Sequence, residues 1–235
     1  METIAERLKS VQTTIKQSTL KAHRPSNSVK LLAVSKTKPV SDIVQAYEVG
    51  QRLFGENYVQ EGIEKIQALQ DLDDIEWHFI GPLQSNKSRL VATHFDWVET
   101  IDRLKIAQRL NDQCPENKKL NICVQVNIDS DPNKAGIKVE ELNEFIEAIV
   151  IMPNLCLRGL MTIPKGQQSP EQQQHSFGKM ADLFNALKLK YPNIDTLSMG
   201  MSGDMVHAIN NGSTMIRVGT AIFGTRNQTK ESNAT

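Results

Sequence analysis

The sequence predicts a parallel (β/α)8 barrel carrying one extra N-terminal helix, and three observations lead there. Short apolar or β-branched runs recur eight times along the 235 residues, each closed by a turn signal and followed by apolar residues at helical spacing. The runs are mostly apolar rather than alternating, as strands covered by helices should be. Eight such units close naturally into a barrel at this length, whereas an open doubly wound sheet suits the alternation less well.

The opening segment, METIAERLKSVQTTIKQ, is polar and charged in helical rhythm and supplies the extra helix. The strand runs are VKLLAVSK (29–36), RLFGEN (52–57), EWHFIG (76–81), WVETI (97–101), NICVQVNI (121–128), CLRGLMTI (156–163), TLSMG (196–200) and MIRVGTAIFG (215–224). Between them SDIVQAYEVG, VEELNEFIEAIVIM and SFGKMADLFNALKLKY read as crossover helices. Ser41 and Asp42 give the first of these a start, and Gly50 a stop. The glutamine-rich stretch GQQSPEQQQH (166–175) reads as a solvated loop leading into a helix. One barrel domain is expected to fill residues 1–226, with no room for a second domain. The polar tail NQTKESNAT (227–235) is expected to be disordered.

Composition narrows the function classes. Lys plus Arg and Asp plus Glu are equal at 27 each, so no net field recruits nucleic acid, an anionic membrane or an acidic protein. No apolar run approaches the roughly 18 residues of a membrane span, and the N-terminus has no signal-peptide core, so a cytoplasmic chain is the expectation. Cys114, Cys123 and Cys156 are odd in number and lack metal-ligand spacing, so buried thiols are the reading.

Chemistry in such a barrel is done where strands end, because the βα loops surround one pocket. Lys36 closes the first run, on the same side as Leu32 and Val34 if the strand alternates. Asn57 ends the second, His78 stands in the third, and Arg217 interrupts the apolar eighth between Ile216 and Val218. A strand-end Lys is usually solvated and a strand His is usually a core residue. A guanidinium among apolar neighbours, however, is expensive to bury without a partner. The stretch SMGMSGDMVHAI sets Gly200, Ser202 and Gly203 before a helix whose first turn carries Asp204, and Gly219 and Thr220 follow the eighth strand. Unpaired N–H groups there suit a phosphate, although Ser202 and Asp204 as helix caps with glycines as turn formers is the plainer reading. A phosphate site facing a strand-end amine suggests an aldehyde cofactor held as a Schiff base, and pyridoxal 5'-phosphate (PLP) supplies both groups. Arg217 would then face the pyridine nitrogen and weaken the ring as an electron sink.

The motifs AVSKTKP, FGENYVQE, WHFIGPLQSNK, GLMTI, LSMGMSGD and IRVGTAIFG, in that order, closely resemble the YggS-like pyridoxal phosphate homeostasis proteins. The likeness runs from the first strand to residue 224. It implies the barrel of the alanine racemase N-terminal domain, covalent PLP and a role in vitamin B6 homeostasis. It also implies Lys36 as the Schiff-base residue, Ser202, Gly219 and Thr220 at the phosphate, Arg217 at the pyridine nitrogen, Asn57, His78 and Met199 along the ring, and Gly203 near the phosphate loop. Lys87, in LQSNK, belongs to the motif without a settled role.

Two functions stay open at this point: a carrier that buffers PLP or delivers it to PLP-dependent apoenzymes, and an amino-acid racemase. A barrel with a vestigial pocket is a third, and it leaves Lys36 and Arg217 unexplained. Racemisation needs acid/base groups on both faces of the bound substrate. Tyr47 and Tyr191 fall in predicted helices, which leaves Tyr58 near the pocket, and in alanine racemases the opposing tyrosine comes from a C-terminal domain of the partner subunit. The carrier is therefore the expectation, with a monomeric chain and no metal.

Overall fold

In the computed structural model, which describes residues 2–166 and 168–225, eight parallel strands close into a barrel in chain order, each hydrogen-bonded to the next and the eighth to the first. The strands are β1 (Lys30–Val34), β2 (Leu53–Glu56), β3 (Glu76–Phe79), β4 (Trp97–Ile101), β5 (Leu120–Gln125), β6 (Leu155–Met161), β7 (Thr196–Ser198) and β8 (Met215–Val218). Every strand run legible in the sequence is present; the fourth keeps its predicted bounds, and the other seven are shorter at their C-terminal ends because the backbone turns out into a loop there. The largest trim is at the eighth. Its second half folds as a helical turn, since Gly219 opens it and the N–H groups of Ile222 and Phe223 bond back to the Gly219 carbonyl.

Helix α1 (Ile4–Lys21) begins in a capping box between Thr3 and Glu6 and buries Ile4, Leu8, Val11 and Ile15, one stripe at helical spacing. It lies against α2 (Val40–Glu48), α8 (Met205–Asn210) and α9 (Thr220–Phe223), so the extra helix covers the seam where β8 meets β1. The remaining crossovers are α3 (Val59–Ala68), α4 (Ser88–His94), α5 (Leu104–Gln113), α6 (Leu142–Val150) and α7 (Pro170–Lys190).

Two local readings change. Helix α2 starts at Val40, directly after Pro39, without a side-chain cap, so Ser41 and Asp42 lie inside its first turn; Gly50, at φ 97°, does end that segment. Helix α7 starts at Pro170 in a capping box of Ser169 and Gln172, which makes most of the glutamine-rich stretch helix rather than loop. Cys114 and Cys123 are buried free thiols and Cys156 is half-buried. The tail at 227–235 lies outside the described residues. Among those described, no helix is long and apolar enough to cross a membrane, and no group of three or more His, Cys, Asp and Glu could hold a metal.

Candidate functional site

The C-terminal ends of β1, β2 and β8 and the loop after β7 enclose a cavity of about 340 Å³. Lys36 enters from the turn after β1, on the same side as Val34, and Asn57 from the end of β2. Ser202 and Gly203 come from the loop after β7, and Arg217, Gly219 and Thr220 from β8 and the start of α9. Ile80, Met161 and Ile163 supply apolar wall. Seven of the nine residues singled out in the sequence thus share one cavity.

The other two do not line it. His78 is fully buried in the body of the sheet, opposite Gly55 on one side and Trp97 on the other, because β3 runs one residue past it before ending. Its ring stacks on Trp97 with centroids 4.9 Å apart and its Nδ1 lies 2.7 Å from Glu99 Oε1, so it is drawn across the barrel rather than up to the mouth. Met199 is likewise fully buried, and Gly200, at φ 98°, redirects the chain so that Met201 faces the cavity in its place. Lys87 ends a 3-10 turn at Ser85–Lys87 and lines a neighbouring recess of about 470 Å³ with Tyr58 and Arg103; Asn57 borders both recess and cavity.

The turn that presents Lys36 is held on both sides. Ser35 Oγ donates to Glu56 Oε1 (2.6 Å), and the Ser35 carbonyl accepts from Lys65 Nζ (2.8 Å). Beyond Lys36, the Thr37 N–H donates to Glu61 Oε1 (2.5 Å), and Thr37 itself stands at φ 61°, a region that β-branched residues rarely adopt. Lys65 ties the cluster together through Glu56 (2.8 Å) and Glu61 (2.6 Å). Gly81 packs so closely on Asn57 that an added Cβ would overlap the Asn57 carbonyl oxygen, which fixes the opposite wall.

Arg217 is 5% exposed, and its charge is answered inside the barrel. Nη1 donates to Ser198 Oγ (2.7 Å), Nη2 to the Thr162 carbonyl (2.9 Å), and Ser198 Oγ donates to Glu99 Oε2 (2.5 Å). Burial pushes the guanidinium pKa down, opposed chiefly by Glu99, and a guanidinium stays charged in any case. Burial alone would raise the Glu99 carboxyl, yet the hydrogen bond and charge of His78, with Arg217 and Ser198, hold it below its ordinary value. Glu99 therefore contributes stability that is present above the ordinary carboxyl pKa of 4.5 and is lost as pH falls through the lower folded value. Chemical denaturation of wild type and Glu99→Gln across pH 3 to 7 checks this: the wild type is expected to lead at neutral pH and to lose that lead below about pH 4.5.

Glu56, Lys65 and Glu99 escaped the sequence reading. Glu56 and Glu99 are fully buried and interrupt apolar strands, the same signal that marked Arg217, so the argument applied to one charge could have been applied to all three. Lys65, on a helix, carried no such mark.

The cavity is suited to a phosphorylated aldehyde on physical grounds. The backbone N–H groups of Ser202, Gly203 and Thr220 find no acceptor among the described residues, both hydroxyls stand beside them, and a Cβ on Gly203 would meet open space. Asn57 Oδ1 is buried without a hydrogen-bond partner among the described residues, as a wall atom reserved for a guest would be. A larger concavity, about 630 Å³, lies beside the start of α7; its Asp129 is already engaged by Ser176 and by the Lys165 N–H, and it lacks the convergence of strand ends.

Residues 9–227 match the alanine racemase N-terminal domain. A pyridoxal phosphate homeostasis protein of Haemophilus influenzae is 54% identical over 98% of this chain and 99% of its own length, and the protein of that name in Escherichia coli K12 is 53% identical over 98% and 100%. The structure of PipY from Synechococcus elongatus with PLP bound is similar at a TM-score of 0.81 and 38% identity, covering 94% of this chain and all of that one. Fold, cavity and full-length identity agree, and the chain belongs to the alanine racemase N-terminal domain family, among its pyridoxal phosphate homeostasis proteins.

Proposed function

We propose that this protein binds PLP in the cavity at the barrel mouth, covalently through Lys36, and that it serves vitamin B6 homeostasis in the cytoplasm as a monomeric carrier that buffers PLP or passes it to apoenzymes. One observation carries the reading. Lys36 and Arg217 are the titratable side chains among the described residues lining the cavity, and the N–H groups and hydroxyls of Ser202 and Thr220 share it with them. When bound, PLP supplies an aldehyde that an amine can capture and a phosphate that anchors it. Ser202, Gly203, Gly219 and Thr220 would bind the phosphate, Lys36 would hold the aldehyde carbon, and Arg217 would face the ring nitrogen as a donor that keeps a proton off it. Asn57, with Ile80, Met161 and Ile163, would bound the ring and exclude water.

The same lining argues for a carrier. Proton transfer on two faces needs a second acid/base group, and Tyr58 is half exposed in the neighbouring recess rather than on the cavity wall. The deciding experiment has three readouts. Borohydride reduction of PLP-loaded protein is expected to leave a pyridoxyl group on the Lys36 peptide in mass spectra. Loaded protein is expected to restore activity to a PLP-dependent apoenzyme. Incubation with alanine in D2O is expected to exchange no α-proton above buffer. No adduct would remove the cofactor assignment, and α-proton exchange accompanied by conversion of L-alanine to D-alanine would make the protein a racemase, since exchange with retention needs only one face.

A further inference from the structure

His78, Glu99, Ser198 and Arg217 make a continuous hydrogen-bonded chain across the barrel interior, from β3 through β4 and β7 to β8, and of the four only Arg217 reaches the cavity. The direction of every bond in it is fixed. An ionised Glu99 can only accept, so His78 donates through Nδ1 and Ser198 spends its single proton on Glu99. Ser198 then has only lone pairs left for Arg217, which donates to it and to the Thr162 carbonyl. A rotated guanidinium would give up both the Ser198 hydroxyl and the Thr162 carbonyl, leaving that carbonyl and a buried cation short of partners, and its apolar neighbours Val34, Met161 and Ile163 offer no acceptor in exchange.

We propose that Glu99, Ser198 and His78 are positioning residues that hold the Arg217 guanidinium in one orientation at the inner end of the cavity, and through it the ring end of the bound cofactor, without touching that cofactor. This rests on reading the cavity as a PLP site. It also gives His78 a role at one remove, three hydrogen bonds from the cavity wall. Simple charge compensation for a buried arginine would account for Glu99 alone. It would not require the carboxylate to act through a hydroxyl whose donor and acceptor sides are both committed.

Ser198→Ala cuts the chain in the middle while leaving both charges in place, and Ser198→Thr keeps the hydroxyl. Each is loaded with PLP, titrated, scanned in the visible range and reduced with borohydride. The alanine variant is expected to carry the pyridoxyl group on Lys36 as the wild type does, to bind PLP roughly tenfold more weakly, the loss of about one charge-assisted hydrogen bond, and to show a displaced absorption maximum. The threonine variant is expected to return both values toward wild type. An alanine variant with unchanged affinity and absorption maximum overturns the proposal, whatever its melting temperature, because a merely structural bond would move only the latter. Absence of the adduct in the wild type would instead bring down the PLP reading itself. Should the alanine variant not fold, nitrogen NMR of the wild type decides: the His78 ring resonances are expected to shift when PLP enters a cavity they do not line, and stationary resonances would refute the coupling.

Discussion

Lys36→Ala is expected to abolish the borohydride-stable pyridoxyl adduct, from one per chain to none, while the protein still retains PLP or inorganic phosphate non-covalently. The asymmetry follows from where the groups stand. The amine enters after β1, whereas the proposed anion donors Ser202, Gly203, Gly219 and Thr220 come from the loop after β7 and from the end of β8, so removing one would leave the other built. Among the described residues no other lysine lines the cavity. Lys38 is the nearest in sequence, and its Nζ is tied to the carbonyl oxygens of Phe223 (3.0 Å) and Thr225 (2.9 Å). Peptide mass spectrometry after reduction reads the covalent part, and equilibrium dialysis against PLP reads the rest. An adduct persisting at full occupancy would move the reactive amine elsewhere. Loss of all PLP and phosphate binding would mean that Lys36, not the donors on β7 and β8, holds the anion.

Lys65→Met is expected to cost about 3 to 5 kcal/mol of folding stability, the usual consequence of removing one partner from a buried ion pair. Lys65 is 4% exposed and Glu56 is fully buried, so the substitution leaves a carboxylate out of water with only the Ser35 hydroxyl to answer it. Burial already pushes the Glu56 pKa upward, against the attraction of Lys65, and Glu56 Oε2 is unpartnered among the described residues. Combining Lys65→Met with Glu56→Met should therefore recover most of the loss, because an apolar pair of similar volume avoids the desolvation altogether. Urea denaturation of the three proteins tests both parts. A single-variant loss under about 1 kcal/mol would show that the cluster stabilises no more than an exposed pair does.

The fold was readable because its evidence is local and repeated. Eight short apolar runs at regular spacing leave few architectures, and an error at one of them, such as the helical second half of the eighth, does not disturb the count. Membership of the cavity was readable where a residue lies at or just past a strand end, as Lys36, Asn57, Ser202 and Thr220 do, since the barrel collects strand ends whatever the details. It was less readable where orientation depends on a non-local partner. His78 faces inward, where Glu99, 21 residues away, accepts its hydrogen bond, and Met199 gives way to Met201 because of the backbone angle at Gly200. Lys65 shows the limit most clearly. Nothing on its own helix distinguishes it from the exposed lysines, and its burial follows from Ser35 and Glu56 arriving on two other elements.

Thr37 bears on how quickly the site could work. A β-branched residue at φ 61° stores of order 1 to 3 kcal/mol of backbone strain, and here folding supplies it, through Glu61 on one side and the Ser35 contacts on the other. The lysine between them is thus presented by a backbone that folding has already set. A berth of this kind would remove the ordering cost from capture, so that in the proposed carrier loading would be limited by bond chemistry and diffusion rather than by a conformational step. Reversible exchange is what separates a reservoir from a trap, and under the proposed carrier function its speed would rest on a single strained turn.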